Sequence, residues 1–185
     1  MSIDALPTRR VVPCRTLAEY LQLLLARLAA GEPAAAARIR EVVGARRARI
    51  TLDAESADVF FADDGTFHVE PPAGAVAGTG TTFRGVVLDL LDGYEEVTTA
   101  VLDGELELTG TVEDVAAIGQ AIEILIDAST RVPPLQELAR DFRDDPCRPS
   151  SPARLGGPPL RRTPFYPDPP DTRERELLRR LDLLP

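Results

Sequence analysis

The side chains best suited to chemistry are few and scattered. His68 is the only histidine. It alternates with Phe67 and Val69, so on a strand it points away from their apolar face, toward solvent. Cys14 and Cys147, the two cysteines, lie far apart and outside the patterned middle. Neither sits near a histidine in a nucleophile motif, and their spacing reads as neither a disulfide framework nor a zinc site. The run Gly78-Thr79-Gly80-Thr81-Thr82-Phe83-Arg84-Gly85 lacks the third glycine of a dinucleotide fingerprint, and no Gly-Lys-Ser/Thr follows it. It reads as a small-residue strand leading into a Thr-capped helix. Glu95 and Glu96 diverge by about 100° on a helix and do not converge as an acid/base pair. Asp58, Asp63, Asp64, Glu105 and Glu107 fall on turns or outward strand faces, and no set of acids has metal-ligand spacing. The residues therefore name no catalytic group, no metal and no cofactor.

What the sequence holds in excess is apolar surface, arranged in alternating periods. Leu17, Leu21, Leu24, Leu25 and Leu28 form a helical stripe with Thr16 as N-cap and Gly31 as its stop. A second, Ala- and Arg-rich helix ends near Gly44. The period then becomes two: Ile50 and Leu52, Val59 and Phe61, and Phe67 and Val69 each share a face. Asp63-Asp64-Gly65 makes a hairpin turn between the last two runs. Residues 75–80 read as a small-residue strand. Helices follow over about 82–91, with Phe83, Val87, Leu90 and Leu91 on one side, and about 95–102, pairing Val97 with Val101. Leu106 and Leu108 alternate in another strand. Val112–Ala128 is the clearest helix, striped by Val115, Ile118, Ile122, Leu125 and Ile126. Leu135, Leu138 and Phe142 mark one more short helix. The small residues Ala75, Gly78, Gly80, Ala116 and Gly119 leave room between sheet and helices.

The chain has 185 residues, 44% of them hydrophobic and 28% charged, enough for one domain with flanking segments. It divides into an arm over 1–15, a domain over 16–143 and a Pro-rich tail over 144–185. Every basic residue is arginine; lysine and asparagine are absent, which reads as a GC-rich bacterial genome. Residues 1–47 carry +4, 48–131 carry −14 and 132–185 carry +1, for a total of −9. A middle of that sign repels phosphate backbones and excludes nucleic acid as a partner. No apolar run is long enough to span a membrane and no secretory signal is visible; with the cysteine usage, this points to a reducing cytoplasm. Nine of the seventeen prolines lie in 144–170, an extended linker. Beyond it Asp171 and Glu174 resemble a capping box, and Leu177, Leu178, Leu181 and Leu184 stripe a short amphipathic helix. That stripe fits docking on its own domain, on a second subunit or other protein, or on a membrane surface without stable insertion.

From Ala48 to Thr130 the order of elements resembles the sterol carrier protein type 2 family. The residues that carry the resemblance are the strand–turn–strand ADVFFADDGTFHVE, the small-residue strand, and FRGVVLDLLDG. A second helix ending at Asp103-Gly104, then ELELTG and a closing helix, complete it. The resemblance implies an α+β fold: a five-stranded, mainly antiparallel sheet covered by helices on one side. It also implies a hydrophobic tunnel for sterols, acyl chains or other lipids, with no metal and no chemistry of its own. By position, Phe61, Phe67, Phe83, Val87, Leu90, Val101, Leu106, Ile118 and Ile122 would line that tunnel. The Pro-rich tail lies outside the family's pattern.

The first expectation is non-catalytic binding and transfer of a hydrophobic small molecule, lipid, sterol-like or polyketide-like. Two alternatives stay open. One is a cofactor-free enzyme that cyclises or rearranges a secondary metabolite in the same pocket, assisted by Glu95, Glu96 or Glu123. The other is a scaffold subunit that binds a partner or a second copy through its tail. A carboxylate facing the pocket would favour the enzyme; an apolar lining would favour the carrier.

Overall fold

The computed structural model describes residues 13–148. The arm before residue 13, and the tail beyond 148 with Leu177, Leu178, Leu181 and Leu184, lie outside the described residues. The elements run α1 (Leu17–Gly31), α2 (Pro33–Val43), β1 (Ala48–Leu52), β2 (Glu55–Phe61), β3 (Phe67–Glu70), β4 (Gly78–Thr82), α3 (Arg84–Leu91), α4 (Val97–Leu102), β5 (Leu106–Gly110), α5 (Val112–Arg131) and α6 (Pro133–Asp144).

Local chemistry explains the boundaries. Thr16 closes α1 with a full capping box: its hydroxyl accepts from the Glu19 N–H, and the Glu19 carboxylate accepts from the Thr16 N–H at 2.7 Å. Thr111 caps α5 by accepting from the Asp114 N–H. Pro33 and Pro133 open α2 and α6, where the missing N–H costs nothing. The start of α3 differs from the expectation. Thr82 belongs to β4 and donates its hydroxyl to the Glu105 carbonyl, while Phe83 stands in extended backbone as the N-cap, without a side-chain cap.

The sheet has the order β3-β2-β1-β4-β5, with β1–β4 parallel and the other three pairs antiparallel. Register sorts the side chains into two faces. Ala48, Ile50 and Leu52, Ala57, Val59 and Phe61, Phe67 and Val69, Gly78 and Gly80, and Leu106 and Leu108 share the inner face. The helices pack on that face in three apolar clusters centred on Leu28, on Tyr20 with Leu138, and on Leu90 with Leu106. The outer face carries Arg49, Thr51, Asp58, Phe60, His68, Glu70, Thr79 and Thr109. There Thr51 pairs with Ser56, Thr79 with Thr109, and His68 stacks on Phe60 at 5.1 Å.

One sequence expectation is extended here and one is corrected. Asp58 does face outward, but it is fully buried. The 71–77 loop folds back over it, giving it the Ala73 N–H at 2.9 Å, while Arg49 and Arg47 supply three further donors. These bonds, the Arg49 contact foremost, outweigh burial and hold the carboxyl down to about 2. The cysteines are also paired: Cys14 and Cys147 form a disulfide with their Cα atoms 5.4 Å apart. Separation in sequence hid a contact that arises because the chain before α1 and the chain after α6 meet on one side of the fold. The expectation of a reducing compartment rested on unpaired cysteines and loses that support. No helix among the described residues is long and apolar enough to cross a membrane.

Candidate functional site

A cavity of about 220 Å³ lies between the inner face of the sheet and the helices. Small residues of the sheet and of α5 leave the space for it. Ala48, Gly78 and Gly80 sit on the adjacent strands β1 and β4, and Ala117 and Ala121, one turn apart on α5, look toward them. The two glycines act differently. At Gly78 a Cβ would stand 2.7 Å from the Ile118 Cδ1 and 2.9 Å from the Thr109 carbonyl oxygen, so Ile118 already fills that space. At Gly80 a Cβ would make ordinary contacts with Leu108 at 3.5 Å and Ile50 at 3.7 Å, and anything larger would grow into the cavity. Ala75, Ala116 and Gly119 take no part in the lining.

Seven of the nine residues expected at a tunnel wall line this cavity: Phe61 and Phe67 from the β2–β3 hairpin, Val87 and Leu90 from α3, Leu106 from β5, and Ile118 and Ile122 from α5. Phe83 and Val101 do not. Phe83 departs from the expected apolar side of a helix: as an extended N-cap it has no helical phase, and it is 56% exposed. Val101 packs, partly buried, on the cluster of Val86, Leu90, Ala100 and Leu106, and Ala100 is the fully buried residue of α4. Sequence reasoning missed the contribution of the first two helices. Leu21, Leu24 and Leu25 of α1 and Ile39 and Val43 of α2 also line the cavity. The leucine stripe of α1 was visible, but which part of the sheet it covers is a tertiary fact.

Polar groups are confined to the ends. Arg46, Arg47 and Asp114 lie where β1 and β4 begin, and Thr82 where β4 ends. Four strand steps separate Gly78 from Thr82, a path of about 13 Å. Asp114 is the one carboxylate in the lining. It accepts from the Thr111 hydroxyl at 2.8 Å and from Arg46 Nε at 2.7 Å, and both hold its carboxyl below the usual range. It is thus ionised, paired and unsuited to donate a proton. Glu95, Glu96 and Glu123 are not in the wall, and His68 lies on the opposite face of the sheet. Elsewhere, Cys14, Asp145 and Cys147 bring ligating atoms within 4.8 Å of one another. The sulfurs are bonded to each other, and Asp145 accepts from Tyr20, Arg15 and Cys147, so these atoms are already used.

The five-stranded, mainly antiparallel sheet with helices on one face is the architecture implied by the sequence resemblance. The fold is similar to that of sterol carrier protein 2 domains. Among solved structures, the UbiJ-SCP2 ubiquinone synthesis protein is 21% identical, with a TM-score of 0.46 over 60% of this chain and 88% of that one. A crystal structure of sterol carrier protein 2 is 15% identical, with a TM-score of 0.44 over 62% and 95%. The apo sterol carrier protein 2 of Yarrowia lipolytica is also 15% identical, with a TM-score of 0.40 over 60% and 90%. No protein-family model matches the chain, and no curated protein matches its sequence.

Proposed function

We propose that this protein binds a hydrophobic small molecule in the cavity between sheet and helices and passes it on unchanged. The observation that carries the reading is the lining itself. It is apolar over its length, and its one carboxylate is locked in an ion pair. The volume exceeds the roughly 150 Å³ at which an apolar protein cavity stays dry yet accepts benzene. Each methylene moved from water contributes about 0.8 kcal/mol, so ten supply about 8 kcal/mol, the scale of micromolar binding before ordering costs. Phe61, Phe67, Val87, Leu90, Leu106, Ile118 and Ile122 are the contact residues of this reading. The Arg46–Asp114 pair at one end suits a ligand with a single hydrogen-bonding end and a hydrocarbon body. Two of the similar solved proteins carry a sterol in their name and the third is named for ubiquinone synthesis; here the ligand class rests on the cavity alone.

The test is binding of a fluorescently labelled C16 fatty acid by the full chain, compared with Gly80→Val and Ala121→Phe. Both substitutions place side-chain atoms in the cavity, and Gly80→Val also improves strand propensity. Saturable micromolar binding that weakens at least tenfold in each variant, with melting temperature held, is expected. Equal binding in all three proteins would put the probe elsewhere and overturn the reading. So would the absence of binding to the wild type by this probe and by labelled sterol and prenyl chains.

A further inference from the structure

The residues just before α1 and just after α6 meet in one polar knot at the start of α3. Cys14 and Cys147 are both exposed, but two residues close to Cys147 in sequence are buried: Asp145 and Arg148 are 3% and 7% exposed. Asp145 accepts from the Arg15 N–H at 3.3 Å, the Tyr20 hydroxyl at 2.9 Å and the Cys147 N–H at 2.9 Å. Burial would push its carboxyl up, but the Cys147, Tyr20 and Arg15 bonds prevail and keep it below the usual range. Arg148 pairs with Glu55 at 2.7 Å, donates to the Arg15 carbonyl and lies over the Tyr20 and Phe142 rings.

Into this knot reaches Arg84, the first residue of α3, itself 4% exposed. Its Nη1 donates to the Arg148 carbonyl at 2.8 Å, and its Nη2 to the Phe142 and Arg143 carbonyls at 2.8 and 2.6 Å. A buried guanidinium held by neutral acceptors depends on every one of them. One of the three belongs to the residue next to Cys147. Three and six residues further along α3, Val87 and Leu90 form part of the cavity wall.

We infer that the Cys14–Cys147 disulfide is a redox-controlled latch on α3, and through Val87 and Leu90 on that end of the cavity. This rests on the proposed ligand site for its consequence, though not for the latch itself. The chemistry is exchange with a dithiol. One thiolate attacks an exposed sulfur, the protein S–S bond breaks and a mixed disulfide forms. The second thiol of the reductant then displaces the protein sulfur. The reductant ends as a cyclic disulfide, and its two electrons and two protons end on the Cys14 and Cys147 thiols. The segment carrying Arg148 is then held to the N-terminal side only by the hydrogen bonds among Arg15, Tyr20, Asp145 and Arg148, and the carbonyl that Arg84 depends on is less firmly fixed.

The test is hydrogen exchange of the full chain, oxidised and after reduction with dithiothreitol, alongside release of the labelled C16 fatty acid. Exchange should quicken in every helix as the global stability falls, but amides of α3 should gain at least tenfold more than those of α2 and α5, and probe release should quicken at least tenfold. Arg84→Gln should loosen α3 in the oxidised protein and leave little further effect of reduction. Cys14→Ser, which cannot form the bond, should match the reduced wild type. Unchanged exchange in α3, or an equal rise in every helix, would overturn the latch. Faster α3 exchange with unchanged probe release would overturn its control of the cavity. If no probe binds in either state, the ligand reading falls, and α3 exchange still decides the latch.

Discussion

Asp58 ties three parts of the outer sheet face together: β1 through Arg49, the residue before β1 through Arg47, and the 71–77 loop through the Ala73 N–H. Because its carboxyl lies at about 2 in the folded protein and near 3.8 otherwise, its contribution to stability is fully present above pH ~4. It is lost as the pH falls toward 2. Asp58→Asn should lower the urea midpoint at neutral pH by the equivalent of about 3 kcal/mol, at constant slope, and should flatten the stability profile between pH 4 and 2. Alternation along β2 placed Asp58 on the outward face, and that was legible. The roof over it was not, because Pro71-Pro72 and the residues after it show no period that says where the loop folds. Phe83 teaches the converse: it fitted a helical phase in the sequence, but α3 begins one residue later, and no phase applies outside a helix.

The elements were the most readable level, since each depends on short-range spacing. The Asp63-Asp64-Gly65 turn, the α1 stripe and the α5 stripe all reflect periods of two or 3.6 within one segment. The cap of α1 is the clearest case, and Thr16→Ala should cost about 1 kcal/mol of stability in thermal or chemical unfolding. Register across β4 was less accessible. The parallel β1–β4 pair spans a crossover, and nothing local says which strands become neighbours. Its tolerance is narrow. Gly78→Ala sets a Cβ 2.9 Å from the Thr109 carbonyl oxygen, a backbone atom that cannot swing aside. The substitution should cost about 2 kcal/mol, whereas Gly80→Ala, two residues on and on the same face, should be nearly neutral. The candidate site was half legible for the same reason. Residues from β2, β3, α3, β5 and α5 were recognisable as inward-facing, but the covering of the cavity by α1 and α2 depends on how helices settle on the sheet.

At the scale of the whole molecule, the disulfide closes a span of 133 residues. Such a bond restricts the unfolded chain, and its loss typically costs about 3 kcal/mol, or about 10 °C in melting temperature for a body of this size. Scanning calorimetry with and without reductant should show that drop, and Cys147→Ser should show it without reductant. The charge pattern belongs to this scale as well. Arginines from outside the acidic middle neutralise acids within it, as Arg47 does Glu70 and Arg46 does Asp114. The knot near Arg84 adds Arg148 to Glu55. The two flanks of the core thus act as its counter-charge.

With Cα atoms 5.4 Å apart at Cys14 and Cys147, the folded body is a covalent ring, and its backbone has no mechanically privileged start. A peptide linker joining residues 13 and 148 could take over the work of the sulfurs, and the ring could be reopened in the Asp63-Asp64-Gly65 turn at the sheet edge. Such a circular permutant should fold and melt within a few degrees of the oxidised parent, and, unlike the parent, its melting temperature should not change on adding a thiol.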